Sequence, residues 1–197
     1  MTAPSRKPAT YEDLLKVPDN LVAEILGGEL HTHPRPAPRH VIAASRLGTS
    51  LGEPFDFGRN GPGGWVFAVE PELHLNSHVV VPDLAGWRRE RMPRLPDTAY
   101  FETAPDWVCE ILSPSTAHVD RGIKRRIYAD AGVPYLWLLD PDQRTLEIFV
   151  LAAGKWMLAA TIVGAEDVSA PPFDAISFPL SVLFPFDAPQ GAEPSQG

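Results

Sequence analysis

Three short segments of this chain are apolar on both faces of an extended strand, and each carries a single carboxylate. They are Leu21-Val22-Ala23-Glu24-Ile25-Leu26, Val79-Val80-Val81-Pro82-Asp83-Leu84 and Trp107-Val108-Cys109-Glu110-Ile111-Leu112. A strand apolar on both faces belongs in the middle of a covered sheet. A lone carboxylate there forfeits hydration worth several kcal/mol unless something positive compensates. A core needs this arrangement nowhere, so three instances point to acids that share a cation. The bland alternative for each acid is a strand end that reaches water, or a private arginine.

The elements around these segments read as a mixed α/β (α+β) sheet domain. Thr10 with Asp13 three residues on caps a short amphipathic helix through Tyr11, Leu14, Leu15 and Val17. Leu21 to Leu26 and Glu29 to Thr32 form a hairpin about Gly27-Gly28. Val41 to Leu51 has helical spacing of its apolar residues. Strands follow at Trp65 to Val69, Glu72 to Leu75, Val79 to Leu84 and Asp106 to Leu112. A helix runs from Ala117 to about Ala131, stopped by Gly132, and strands follow at Tyr135 to Leu139, Thr145 to Leu151 and Lys155 to Val163. The stretch from Trp107 to Leu139 is then a parallel strand–helix–strand crossover. The 22 prolines punctuate these elements rather than interrupt them.

The helix after Glu110 places one positive charge near these acids. Val119, Ile123 and Ile127 make its core stripe at i, i+4, i+8. Asp120, Lys124 and Tyr128 repeat that spacing one position on, about 100° around. Lys124 therefore flanks the core near the end of the strand that holds Glu110. An ion pair with Asp120 would explain Lys124 more simply, and ordinary packing would explain Tyr128.

Composition excludes several classes. A formal net charge of −8 argues against a protein that simply coats nucleic acid. Yet Arg88, Arg89, Arg91 and Arg94, then Arg121, Lys124, Arg125 and Arg126, place eight of the 17 basic residues directly after two of the acid-bearing strands. Arg88, Arg89, Arg121 and Arg125 are the candidate phosphate contacts. The single Cys109 excludes an intrachain disulfide and reads as a small core residue. The longest run free of Asp, Glu, Lys and Arg, Ala175 to Phe186, is 12 residues broken by Pro179, too short to span a bilayer. Met1 to Thr10 has no apolar signal region, so a cytoplasmic protein is expected. One domain is expected over residues 1–186, with a flexible C-terminal tail over 187–197. Phe173, Phe178, Phe184 and Phe186 suggest either a homodimer or a C-terminal wrap over the sheet.

Val81-Pro82-Asp83, Glu110-Ile111-Leu112 and Lys124, taken in order, resemble the PD-(D/E)XK nuclease superfamily, and more closely its bacterial restriction-endonuclease branch. Ala23-Glu24-Ile25-Leu26-Gly27-Gly28-Glu29-Leu30, His40, Pro105 to Thr116, Asp120, Tyr128 and Gly132 to Pro141 extend the match from about Tyr11 to Phe184. The chain departs from the superfamily at Leu112, where a Lys is usual, and from the branch at Tyr135-Leu136-Trp137, where Glu-Tyr-Trp is usual. The resemblance implies a restriction-endonuclease-like mixed sheet flanked by helices, with an N-terminal helix and hairpin. It implies a hydrolase that cuts DNA, with Glu24, Asp83, Glu110 and Lys124 as catalytic residues. Asp83, Glu110 and the Ile111 carbonyl would hold Mg²⁺ or Mn²⁺, hard cations suited to oxygen ligands. Glu24 would be an outer ligand, Lys124 would take over the missing strand lysine, and His40 would face the site.

Two other functions fit parts of the sequence. His31-Thr32-His33 with His74 and His78 could form a cupin-like metal site, although Pro34 to Pro38 follows where a ligand acid would be wanted. The same fold with a decayed site could serve as a protein-interaction or regulatory module.

Overall fold

The computed structural model describes residues 7–185. The expected tail at 187–197, Phe186 and residues 1–6 lie outside this range. Among the described residues, no helix is long and apolar enough to cross a membrane.

Helix α1 (Tyr11–Leu14) is closed by a reciprocal capping box between Thr10 and Asp13. The hairpin β1 (Leu21–Leu26) and β2 (Glu29–Pro34) turns at Gly27 and Gly28, both at positive φ, which a tight two-residue turn demands. Helix α2 (Pro38–Leu51) begins on a proline and runs into a π-helical segment (Gly52–Asp56). Strands β3 (Trp65–Val69), β4 (Leu73–Leu75), β5 (His78–Val80), β6 (Leu84–Arg88) and β7 (Trp107–Ile111) follow. The crossover helix comes in three parts: α3 (Ala117–Val119), a π-helical segment (Asp120–Lys124) and α4 (Arg125–Asp130). Strands β8 (Tyr135–Asp140), β9 (Thr145–Ala152) and β10 (Lys155–Val163) complete the main sheet. A small ladder of β11 (Asp167–Val168) with β12 (Phe178–Pro179) and a short 3₁₀ turn (Leu180–Leu183) end the described chain.

The main sheet has six strands in the order β10-β9-β8-β7-β6-β3. Its one parallel pair is β7 with β8, so the expected crossover is present. A second sheet has the order β2-β1-β5-β4. The strands of Glu24 and Glu110, β1 and β7, are paired on both edges, as their two-sided apolar character requires.

Side chains of β7 alternate between two cores. Trp107, Cys109 and Ile111 pack with Leu47 and Leu51 of α2 and with Phe173. Val108 and Leu112 pack on the opposite face with Ile127 and Tyr128 of α4 and with Leu26, Leu73 and Val80 of the second sheet. Glu110 lies between Val108 and Leu112 in this alternation, so it points toward the crossover helix.

The segment Val79 to Leu84 is not one strand. It leaves the second sheet after Val80 and enters the main sheet at Leu84, with Val81-Pro82-Asp83 as the passage between. Pro82 has no N–H to give either ladder, which makes this the place where the chain changes sheets. Among the described residues, three of these phenylalanines are covered: Phe173 and Phe184 are buried, and Phe178 packs against the same core. Of the two arrangements these residues allowed, the described chain adopts the wrap.

Candidate active site

The break at Pro82 shapes the site. The β6–β7 ladder ends at Leu84 opposite Cys109, which frees the Ile111 N–H. Asp83 takes it: its Oδ2 accepts from the Ile111 N–H at 2.6 Å. Its other oxygen, Oδ1, accepts from His40 Nε2 at 2.7 Å, and His40 comes from the first turn of α2. Glu24 secures the other end of the passage, accepting the Val81 N–H on Oε1 at 2.8 Å. A strand glutamate that looked misplaced therefore satisfies a backbone donor that no strand neighbour reaches.

Lys124 is 3% exposed, a rarity for lysine. Its Nζ lies 2.8 Å from Glu110 Oε1, 3.2 Å from Glu24 Oε1 and 3.5 Å from Asp120 Oδ1. It also donates to the Val81 carbonyl at 3.2 Å. Tyr128 is fully buried and donates its hydroxyl to Glu110 Oε1. A regular helix would have left Lys124 beside the core stripe. The π-helical segment carries an extra residue per turn, and in this helix Lys124 is buried while Ile123 is only partly so.

Of the three acids Glu24, Asp83 and Glu110, the two glutamates share Lys124, and Asp120 of the same helix joins them. Asp83 instead pairs with His40. Three carboxylates face one ammonium, and the imbalance shows in the proton affinities of Glu110 and Asp120. Burial raises the Glu110 carboxyl well above the usual carboxylate range; Lys124 opposes this, while Asp120, Asp83 and Glu24 add to it. Burial also raises Asp120, again against Lys124. Burial by itself would lower the Lys124 ammonium, but Glu110, Glu24, Tyr128 and Asp120 carry it well above the usual lysine range. The surrounding carboxylates thus favour the charged form of Lys124. Burial likewise lifts the Cys109 thiol, which keeps it a core residue and no nucleophile.

All four acids and Lys124 open on one cleft of about 530 Å³. Asp83 and Glu110, which a shared metal would require on one side of the sheet, both line it. His31, His33 and His118 line it too, with His33 Nε2 3.8 Å from Glu24 Oε2. Among the described residues, no group of three or more His, Cys, Asp or Glu side chains is placed to hold a metal ion by itself. The histidine-based site finds no support in this, since His74 and His78 sit on β4 and β5 outside the cleft: His74 is held by Glu72, and His78 accepts from the Gly27 N–H. Two acids, a backbone carbonyl and water remain a sufficient oxygen set for Mg²⁺ or Mn²⁺, which keep several waters when bound. The surplus of buried negative charge suits a divalent cation for the same reason.

The four arginines proposed as phosphate contacts lie elsewhere. Arg88 is five residues from Asp83 along an extended chain, roughly 16 Å away, and stacks over Trp65 at 4.8 Å. Arg89 pairs with Asp56 at 2.6 Å. Arg121 pairs with Glu147 at 2.5 Å, and Arg125 covers the Phe149 ring at 4.3 Å. Nearness in sequence to the acid strands did not become nearness in space, because strand and helix carry these side chains away from the cleft. Sequence reasoning undervalued Tyr128 and left the role of His40 open. The i, i+4 spacing of Tyr128 from Lys124 was the available signal.

A mixed sheet whose parallel crossover brings a helix lysine onto strand acids defines a restriction-endonuclease-like protein. The sequence model of the family described as "Putative restriction endonuclease" (Uma2) matches residues 8–182, and the chain belongs to that family. The fold is shared with a crystal structure of a "putative nuclease belonging to DUF820" from Anabaena variabilis, at TM-score 0.73, covering 90% of this chain and 98% of that one at 23% identity. No curated protein matches the sequence.

Proposed function

We propose that the chain is a metal-dependent endonuclease that hydrolyses DNA phosphodiester bonds. The observation that carries this reading is the convergence of Glu24, Glu110 and Asp120 on the buried Lys124, with Asp83 lining the same cleft. Asp83, Glu110 and the Ile111 carbonyl would hold Mg²⁺ or Mn²⁺. Such an ion polarises a phosphoryl oxygen and makes water a competent nucleophile near neutral pH.

The chain's own residues have distinct parts in this reading. Lys124 keeps its proton, so it serves as a fixed positive charge for the phosphoryl oxygens and not as a base. Asp83 is oriented before any ligand arrives, by His40 on one oxygen and the Ile111 N–H on the other. Tyr128 fixes Glu110 in the same way. Glu24 holds the Val81 passage and acts as an outer carboxylate. Arg88, Arg89, Arg121 and Arg125 are left to flanking contacts on longer DNA. The preformed ion pairs of Lys124 favour one second reading, a catalytically inactive module of the same fold.

The test is a cleavage assay on single-stranded, duplex and branched DNA with Mg²⁺ or Mn²⁺. The endonuclease reading expects metal-dependent products that Asp83→Ala and Lys124→Ala abolish. Absence of cleavage on every form would favour the inactive module.

A further inference from the structure

A second cavity, of about 580 Å³, adjoins the acid cleft and shares His40 and Asp83 with it. Its walls come from α2, the π-helical segment after it, and β3. Three of its apolar side chains are unusually exposed: Val41 at 49%, Phe57 at 67% and Val69 at 66%. A surface rarely clusters large apolar groups without an occupant. The charged groups in the lining are acidic, Glu53, Asp56, Glu70 and Asp83, with His40 the one group there able to become positive. Arg89 pairs with Asp56 and Arg35 with Glu70, and the Arg59 guanidinium lies 5.6 Å from the centre of the Phe57 ring.

The apolar walls, with Glu53 unpaired among the described residues, suit a flat heterocycle better than a phosphate. Phe57 offers a ring for stacking, the apolar walls exclude water, and Glu53, Ser45 and Thr49 offer acceptors for exocyclic amino groups. Since Asp83 borders both cavities, an occupant here is joined to whatever the acid cleft holds. A base can enter only when it is unstacked and unpaired.

We propose that this second cavity is a nucleobase pocket. It takes one unpaired base from a nucleotide flanking the scissile phosphate, and so makes single-stranded or locally melted DNA the substrate. The proposal rests on the endonuclease reading and adds the substrate class to it.

The test compares cleavage of single-stranded oligonucleotides in which an abasic site is moved one position at a time past the cut. Full-length wild type and Phe57→Ala are used; Phe57 is exposed, so its loss leaves the fold intact, and Val69→Ala serves as a second variant. The pocket predicts that one abasic position beside the cut lowers kcat/KM on the order of 10- to 100-fold, the usual worth of one base–aromatic stack. Phe57→Ala should show the same loss on the intact strand and no further loss on that abasic strand. Fully paired duplex should be cut more slowly than the same strand alone. Cleavage indifferent to abasic position and to Phe57→Ala would overturn the pocket while leaving the nuclease standing. No cleavage of any strand by wild type would overturn both.

Discussion

The Lys124 ammonium rests 2.8 Å from the Glu110 carboxylate, tying the π-helical segment to the centre of the main sheet. Both side chains are almost wholly buried, so each leans on the other for the charge it carries. Lys124→Met would strand Glu24, Glu110 and Asp120 together in a buried site. Removing one partner of a buried pair costs about 3–5 kcal/mol. Thermal unfolding in chelator should show that loss. Added Mg²⁺ should restore part of it, because a divalent ion can replace the missing positive charge. Lys124→Arg should not rescue activity, since a planar fork does not fit where a compact ammonium meets three carboxylates and a carbonyl.

Tyr128 donates to the oxygen of Glu110 that also receives Lys124. Tyr128→Phe keeps the ring and removes only that hydrogen bond. A buried hydrogen bond to a charged group is worth about 1.5–3 kcal/mol. Denaturant unfolding should reveal a loss in that range with an unchanged m-value. Activity should fall while the metal concentration for half-maximal rate rises.

His40 holds one oxygen of Asp83 across the boundary between the two cavities. Groups that orient a metal-binding side chain typically contribute about 10–100-fold to metal affinity. Mg²⁺ titration of His40→Ala should show an affinity loss of that size, with His40→Gln recovering part of it. A purely structural role would lower stability and leave the titration midpoint where it was.

Gly86 pairs with Phe67 across β6 and β3, and a Cβ built on it would sit 2.9 Å from the Phe67 ring and 3.4 Å from Trp107. Gly86→Val therefore overpacks the centre of the main sheet. A cost of about 1–3 kcal/mol is expected, read as a lower midpoint in chemical denaturation.

Much of this architecture was legible in residue order. Two-sided apolar strands with lone acids located β1 and β7, and the parallel crossover followed from a helix placed between two buried strands. The Gly27-Gly28 turn and the Thr10 cap depend on local chemistry, which a sequence carries in full. What escaped was set by tertiary geometry. Val79 to Leu84 read as one strand because its hydrophobicity is continuous, yet Pro82 hands the chain from one sheet to the other. The π-helical segment has no sequence signature, so Lys124 and Tyr128 were placed beside the core rather than in it. The arginines are a different case. Their charge was visible, but their partners Trp65, Asp56, Glu147 and Phe149 are distant in sequence and claim them away from the cleft.

The central claim is that Asp83 and Glu110 make this chain a metal-dependent nuclease. Asp83→Asn tests it most directly, because it preserves the size of the side chain and one acceptor oxygen while removing the charge. Single-turnover cleavage should be measured for chelated wild type and variant as Mg²⁺ or Mn²⁺ is added back. The account predicts cleavage by wild type that appears only with metal, and a fall of at least about 100-fold in the variant, as expected when transition-state charge stabilisation is lost. Equal rates for the two proteins, or cleavage undiminished in chelator, would contradict it.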